Sequence, residues 1–179
     1  MTDIAVFPIP NCVAFPGTIY PLHVFEPRYR KMVQDCAEQQ MPLAVCHVEK
    51  LVHEAPADQP AEQALQTNQA TYKPVTVVSA GQCEIVKTLV DGRLLINVHL
   101  ADRYRLLDEK QTLPFSIYHA AILPDAELSG LECTEADELK DKLLHRLIAL
   151  TSDRPEISEL LTSDEWQQKP IGDFSYELF

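Results

Sequence analysis

The stretch from Phe7 to Cys36 constrains the fold more than any other part of this sequence, because several structural signals follow one another in it. Cys12 to Phe15 reads as a short β run. Pro16-Gly17 then predicts a turn, since proline fixes φ and glycine tolerates positive φ. Thr18 to Phe25 predicts a second apolar strand. Glu26-Pro27 predicts the start of a helix, where the missing N–H of the proline costs nothing.

This order of elements resembles the opening of the LON domain, the amino-terminal substrate-recognition domain of the Lon protease family, and especially its stand-alone bacterial form. The residues that carry the resemblance are Phe15, Pro16, Gly17, Pro21, Leu22, Phe25, Glu26, Pro27, Arg28, Tyr29 and Arg30. Later matches, in the family's order, are Gly81, Ile85-Val86, Asp91-Gly92-Arg93 and Arg103-Tyr104-Arg105. Relatives commonly have glycine at the position of Leu100, so a local bulge or turn there lacks its usual residue. The resemblance covers about residues 5 to 124.

The resemblance implies an α+β fold. Its first part would be a twisted, β-barrel-like lobe, similar to the folds grouped with RNA-binding PUA domains. An α-helical lobe would follow and form one wall of a groove. The composition changes from β formers to helix formers and acids at Pro124-Asp125. We therefore expect a β-rich lobe at residues 1–124 and a helical lobe at residues 125–179, either as two lobes or as one continuous LON domain.

Hydrophobic periodicity predicts further elements and the core. Val75 to Val90 and Arg93 to Leu100 are apolar runs joined by Asp91-Gly92, a dipeptide typical of a tight hairpin turn. The residues expected on one buried face are Leu94, Ile96, Val98 and Leu100. His53 to Lys73, rich in Ala, Gln, Asp and Pro, is predicted to be mostly a surface loop.

The helical part begins, by its sequence, with a capping box. Thr134 to Asp137 places carboxylates in the first turn of a helix, where the helix dipole favours them. A leucine stripe at helical spacing should then face the core. Its members are Leu139, Leu143, Leu147 and Leu150. A second short helix is expected from Pro155 to about Leu161.

Charge and composition exclude several classes of partner. The chain has 15 Lys and Arg against 27 Asp and Glu, a net charge of −12, whereas nucleic-acid binding draws affinity from cations on phosphates. Apolar runs stop well short of the ~18 residues that a membrane helix needs. We expect neither nucleic acid nor membrane as a partner, and a cytoplasmic location. The five widely spread cysteines lack a C-x-x-C pair, which predicts reduced, buried thiols and no metal or other cofactor.

Catalytic motifs are missing from the sequence. It contains neither a nucleotide-binding G-x-x-x-x-G-K-[ST] loop nor the two commonest serine-nucleophile signatures. Cys46 and His47 would point to opposite faces of a strand, which favours core packing over thiol catalysis. Asp141 and His145 share a helical face, and without a third ligand they indicate an ion pair rather than a metal site. We therefore predict no catalytic residue.

The signature residues divide by expected role. The set assigned to structure is Phe15, Pro16, Gly17, Pro21, Leu22 and Pro27. The set assigned to peptide binding is Phe25, Glu26, Arg28, Tyr29, Arg103 and Tyr104. Arg28 has two readings that stay open: an ion pair that anchors the helix to the barrel, or a group in the groove that contacts peptide carbonyls.

The resemblance implies a non-catalytic protein-recognition module that binds exposed or unfolded polypeptide segments and passes them to a separate protease or chaperone. Two alternatives remain. One is a small hydrolase or ligand-binding enzyme, which would gather His47, His99 or His119 with a carboxylate in a pocket. The other is a structural subunit with one dedicated partner, which would present a large, flat apolar patch.

Overall fold

The structure is a computed structural model that describes residues 1–57, 59–60, 63, 65–124, 126 and 129–178. It divides into two compact units, Met1–Pro124 and Asp125–Phe179. The described strands all belong to the first unit, together with one helix, and the second unit is helical. This is the α+β class that the sequence predicts.

The first unit is a sheet that closes on itself. Its strands are β1 (Thr2–Pro8), β2 (Ile19–Val24), β3 (Leu43–Cys46), β4 (Val48–His53), β5 (Thr71–Pro74), β6 (Val77–Thr88), β7 (Leu94–Gln111) and β8 (Ile117–Ile122). Helix α1 (Pro27–Gln39) lies between β2 and β3 in sequence. Six strands run in the order β2-β7-β6-β3-β1-β8, and β7 also pairs with β8. This second pairing of β7 makes the unit barrel-like, with β2 outside the ring and β4–β5 as a separate pair.

The long strand β7 carries the predicted buried face. Leu94, Ile96, Val98 and Leu100 are at most 2% exposed and share one core with residues of α1. The residues of α1 in this core are Tyr29, Met32, Val33 and Cys36. The hairpin prediction is confirmed as well, since β6 and β7 pair from Thr88↔Leu94 onwards across Asp91-Gly92.

A bulge interrupts the pairing of β6 with β7 beside Leu100. Gly81 pairs with Leu100 and Ala80 with Asp102, so Ala101 is the extra residue. A Cβ atom at Gly81 would lie 1.8 Å from the carbonyl oxygen of His99. A glycine on the facing strand therefore provides the room that the two backbones need at this bulge.

One local prediction in the first unit is wrong, and a second holds for most of its length. Cys12 to Phe15 forms no strand: the Ala14 carbonyl accepts from the Ser79 hydroxyl at 2.7 Å instead of from another strand, and the Cys12 thiol donates to the Tyr20 hydroxyl at 3.0 Å. The surface loop predicted for most of His53 to Lys73 is confirmed in its described residues up to Ala70, and the last three residues of the segment belong to β5, which pairs with β4 through two register shifts. Residues 58, 61, 62 and 64 of that loop lie outside the described residues.

The second unit consists of short helices after one long helix. They are α2 (Gly130–Leu150), α3 (Pro155–Thr162), α4 (Asp164–Gln168) and α5 (Ile171–Glu177). Helix α2 begins four residues before the predicted Thr134, because Ser129 and Glu132 form the capping box instead. The Ser129 hydroxyl accepts from the Glu132 amide, and the Glu132 carboxylate accepts from the Ser129 amide. The predicted short helix at Pro155 is confirmed.

The leucine stripe of α2 does not face the core as predicted. Leu139 and Leu150 are 64% and 78% exposed, and Leu143 is 38% exposed. The buried cluster of this unit consists of Leu144, Leu161, Trp166 and Phe174, with Leu147 and Ile148 packed against it. The packing face is thus rotated by about one residue from the leucine stripe, and Lys140 lies on it, 7% exposed.

All five cysteines lie in the described part of the chain and form no disulfide. Cys12, Cys36 and Cys46 are buried as predicted, whereas Cys133 is exposed on α2. No described helix is both long enough and apolar enough to cross a bilayer.

Candidate functional site

An apolar cleft of about 390 Å³ opens in the first unit, where the ends of β1 and β2 meet the start of α1 and the strand pair β4–β5. Its lining residues are Phe7, Pro8, Ile9, Pro10, Leu22, His23, Phe25, Glu26, Tyr29, Ala55, Gln69, Ala70 and Tyr72. Four aromatic rings are among them, and we call this site the aromatic cleft. Clefts of this size and lining are typical of binding sites for apolar groups.

Local sequence explains how the start of α1 reaches the aromatic cleft. Glu26 is the N-cap residue of α1, with extended backbone, as expected for a residue that precedes a proline. Tyr29 follows in the first turn and stacks on Phe7 of β1, with ring centroids 4.2 Å apart and planes at 19°. This stack joins the helix to the first strand and fixes one wall of the aromatic cleft.

A buried ion pair holds the opposite wall. The Glu26 and Arg28 side chains are 11% and 10% exposed. The Glu26 Oε2 atom accepts from Arg28 Nη2 at 2.8 Å, from Arg28 Nε at 3.0 Å and from the Gln69 amide at 2.9 Å. Hydrogen bonds between charged groups in a buried position are among the strong ones, so this carboxylate is held firmly in place.

Arg28 continues this network into the segment that leads to β5. Its Nη1 donates to the Thr71 hydroxyl at 2.9 Å and its Nη2 donates to the Ala70 carbonyl at 2.7 Å. Its backbone amide donates to Asn68 Oδ1 at 3.2 Å, and its guanidinium lies over the Tyr29 ring, 4.6 Å from the centroid. The donors of Arg28 are therefore engaged by the fold, and Arg28 acts on the aromatic cleft by positioning the residues from Asn68 to Thr71.

The Tyr29 phenol in the wall of the aromatic cleft is uncharged at neutral pH, and its burial extends this state to more alkaline pH. Burial raises the pKa of the Tyr29 phenol to about 12, and this exceeds the opposing effect of the Arg28 charge. The phenol therefore stays protonated. Glu26 is the acidic residue of the lining, and its charge is balanced by Arg28.

The structure brings together only part of the predicted peptide-binding set. Phe25, Glu26 and Tyr29 line the aromatic cleft, and Arg28 supports it. Arg103 and Tyr104 lie elsewhere, on β7 opposite Ser79 and Val78 of β6. Tyr104 packs against a second core cluster that includes Ile4 and Val6. Burial and the neighbouring Asp102 raise the pKa of Tyr104.

The residues assigned to structure are distributed along the loop, β2 and α1. Gly17 occupies the predicted turn with φ +78°, where the Thr18 hydroxyl donates to the Phe15 carbonyl at 2.7 Å next to Pro16. Pro21 is exposed on β2, and Pro27 begins α1. Leu22 also lines the aromatic cleft.

Sequence reasoning missed most of the residues that line the aromatic cleft. Phe7 to Pro10 lies at the end of β1, and its alternation of apolar residues with proline was a usable signal for a rigid, exposed apolar rim. Tyr72 lies on β5, inside the predicted loop. Arg28 holds the neighbouring residues Ala70 and Thr71 by hydrogen bonds, and no local sequence pattern predicts these long-range contacts.

A second, polar cavity of about 660 Å³ lies around Asp3 and His119, at the end of β1 and β8. His119 Nδ1 is 2.6 Å from Asp3 Oδ1, and Lys110 pairs with the other carboxylate oxygen. The hydrogen bond from Lys110 lowers the pKa of Asp3. The residues that line this cavity include neither serine nor cysteine. The Thr2 hydroxyl also lines this cavity, and no hydrogen bond among the described residues joins it to His119 or Asp3.

The other histidines do not join this cavity. His99 pairs with Glu84 at 3.1 Å on the exposed face of β6 and β7, and His47 is exposed between β3 and β4. Among the described residues, no group of three or more His, Cys, Asp or Glu side chains is placed to hold a metal ion. The gathering of histidines expected for an enzyme is therefore limited to one His–Asp pair.

Comparison with known proteins places the fold. A family model described as the ATP-dependent protease La (LON) substrate-binding domain matches residues 3–173. The N-terminal domain of the Mycobacterium avium complex Lon protease is 14% identical, with a TM-score of 0.59 over 89% of this chain and 74% of that one. A Lon N-terminal domain protein from Xanthomonas campestris is 19% identical, with a TM-score of 0.54 over 92% of each chain. No curated protein matches in sequence.

Proposed function

Since this chain belongs to the family of the ATP-dependent protease La (LON) substrate-binding domain, we propose that it recognises polypeptides without transforming them. We assign the binding of exposed or unfolded segments to the aromatic cleft. The observation that carries this proposal is the combination, in one cavity of about 390 Å³, of four aromatic rings with a wall fixed by a buried ion pair.

The chemistry of the aromatic cleft favours apolar side chains of a polypeptide. Removing apolar surface from water contributes roughly 25 cal/mol per Å², and stacked aromatic walls suit a large apolar side chain. The walls are held by the Phe7–Tyr29 stack and by Arg28, so little ordering of the protein is needed on binding. A flexible segment loses entropy when it binds, so we expect modest affinity and broad selectivity.

The net charge of the chain indicates which polypeptide segments it would bind. A net charge of −12 disfavours acidic segments and nucleic acid. Neutral or basic segments of unfolded proteins meet no such repulsion. We further propose that bound segments pass to a separate protease or chaperone in the cytoplasm, since this chain has no nucleotide-binding loop or serine-nucleophile motif of its own.

The test is a calorimetric titration with reduced, carbamidomethylated ribonuclease A, which is permanently unfolded and carries a net positive charge, and with native ribonuclease A. We expect saturable binding of the unfolded form only. In the variant Ala55→Glu a carboxylate enters the mouth of the aromatic cleft, and we expect binding about tenfold weaker or worse, because that charge loses water when a segment binds.

The matched control is Ala37→Glu, which adds the same charge on the exposed surface of α1 outside the aromatic cleft. It should leave the affinity almost unchanged. Equal weakening by both variants would assign the effect to net charge rather than to the aromatic cleft. Failure of the unfolded protein to bind at all would contradict polypeptide recognition.

A further inference from the structure

Strand β2 has one edge that no described strand covers. β2 pairs with β7 along its whole length, from Ile19↔His99 to Val24↔Leu94, and it stands at the end of the strand order. The ladder extends one step before β2, where the Leu100 amide donates to the Thr18 carbonyl at 2.9 Å. The other edge of β2 is therefore the open side of the sheet.

The alternation of a strand shows which groups point to the open edge. Main-chain groups on one side of a strand belong to every second residue. Because Thr18 bonds to β7, the groups of Tyr20 and Leu22 also point to β7, and those of Ile19, Pro21 and His23 point away. Pro21 has no N–H to offer, and proline is found on sheet edges at just such outward positions.

These outward groups have no partner in the described part of the chain. No turn, cap or side chain there forms a hydrogen bond with the main chain of Ile19, Pro21 or His23. Their side chains are exposed. The edge thus presents, in order, the N–H and C=O of Ile19, the C=O of Pro21 and the N–H and C=O of His23. Another main chain in extended conformation is the ligand that complements this alternating order.

The open edge leads into the aromatic cleft. Leu22 and His23 of β2 line it, and Phe25 follows directly. The described donors to Glu26 all bond to its Oε2 atom, and Glu26 is 9% exposed in the wall of the aromatic cleft. Its Oε1 atom is an acceptor on that wall that no described residue uses. The edge, the apolar cavity and this acceptor form one continuous surface.

We propose that a bound polypeptide segment adds to the open edge of β2 as an extra strand and places an apolar side chain in the aromatic cleft. This rests on the proposed function and adds its mode of binding. Main-chain pairing does not depend on the sequence of the segment, whereas the aromatic cleft selects one side chain. The segments taken are therefore extended ones with an apolar anchor, and not helical ones.

The direct test is amide hydrogen exchange by NMR on the ¹⁵N-labelled full chain, alone and with saturating reduced, carbamidomethylated ribonuclease A. The amides of Ile19 and His23 should exchange fast in the protein alone and at least about tenfold slower in the complex. The amides of Tyr20 and Leu22, which already bond to β7, should change little. They are the internal controls.

A substitution that removes an outward N–H of β2 tests strand addition through its effect on binding affinity. Ile19→Pro removes one outward N–H, at a position equivalent to Pro21, and should weaken binding about three- to tenfold. Ile19→Thr changes the side chain but keeps the N–H, and it should bind like the parent chain. If Ile19→Pro fails to fold, the exchange experiment alone decides.

The outcomes separate the two proposals. Binding without slower exchange at Ile19 and His23 overturns strand addition and leaves polypeptide recognition standing. Absence of binding overturns both. Slower exchange that appears without the polypeptide and grows with protein concentration assigns the edge to a second copy of this chain, and it overturns the proposal as well.

Discussion

The two units each bury a charged side chain, but they neutralise it in different ways. In the first unit Arg28 meets the carboxylate of Glu26 and the carbonyl of Ala70. In the second unit Lys140 has no carboxylate partner among the described residues: it donates to the carbonyls of Gln167 and Lys169 at 2.7 Å each and lies over the Phe174 ring, 5.5 Å from the centroid. Removal of the cation therefore leaves a buried charge in one unit and buried dipoles in the other.

The different partners of Arg28 and Lys140 correspond to different roles of buried polar contacts in the two units. The first unit has two apolar clusters, and its ion pair fastens one wall of the aromatic cleft to α1. The described residues of the second unit form one cluster of four buried apolar residues, and Lys140 joins α2 to the end of α4 and to Lys169. The buried charge shapes a binding surface in the first unit, whereas in the second it supplements a thin core.

Among the substitutions that test this difference between the units, Arg28→Ala is expected to cause the largest loss of stability. It leaves the Glu26 carboxylate buried without its counter-charge, and breaking a buried ion pair costs about 3–5 kcal/mol. Urea unfolding followed by circular dichroism measures the loss. The double variant Glu26→Gln, Arg28→Met removes both charges and should recover part of the stability. If the double variant is as unstable as Arg28→Ala, the charge left behind is not the cause.

A smaller effect is expected from Lys140→Ala. Two buried carbonyls lose a charged donor, which should cost roughly 2–3 kcal/mol. Trp166 is the only tryptophan and lies in the core of the second unit, so its fluorescence reports unfolding of that unit. Lys142→Ala is the control, since its pair with Glu138 is exposed and should contribute under about 1 kcal/mol. A loss equal to that of Arg28→Ala would erase the distinction between the units.

The smallest effect is expected from Leu139→Gln. Leu139 is 64% exposed on α2, and substitutions at such positions usually change stability by no more than about 0.5 kcal/mol. Leu139→Met, which keeps the side chain apolar, is the matched control. The free energy of unfolding from Trp166 fluorescence is the readout. A loss of several kcal/mol for Gln but not for Met would mean that this face of α2 is covered in solution.

The sequence predicted the first unit better than the second for a physical reason. A strand alternates with a period of two, so an apolar residue at every second position leaves only one choice of face, as Leu94 to Leu100 shows. A helix can rotate by one residue and still present leucines nearby. In α2 the cluster around Leu144 packs, and of the leucine stripe only Leu147 contacts it among the described residues, whereas Leu139, Leu143 and Leu150 are exposed.

The candidate site also has a part that the sequence predicted and a part that it did not. Phe25, Glu26, Arg28 and Tyr29 are close in sequence and were predicted together, and three of them line the aromatic cleft. Tyr72 arrives from more than forty positions away through the hydrogen bonds of Arg28 to Ala70 and Thr71. Contacts of such sequence separation depend on the assembled fold, and a single sequence carries no local signal for them.

Closure of the sheet has a consequence for synthesis on the ribosome. β1 pairs with β8, so the pairing of Asp3 with His119 can form only after about 115 further residues have been synthesised. At about 5–20 residues per second this is a delay of roughly 6–23 s, during which Ile4 and Val6 cannot reach their full core. An unfinished chain of this protein therefore exposes an extended apolar segment of the kind that we propose its finished copies bind. Newly made copies would compete with other clients for the same edge.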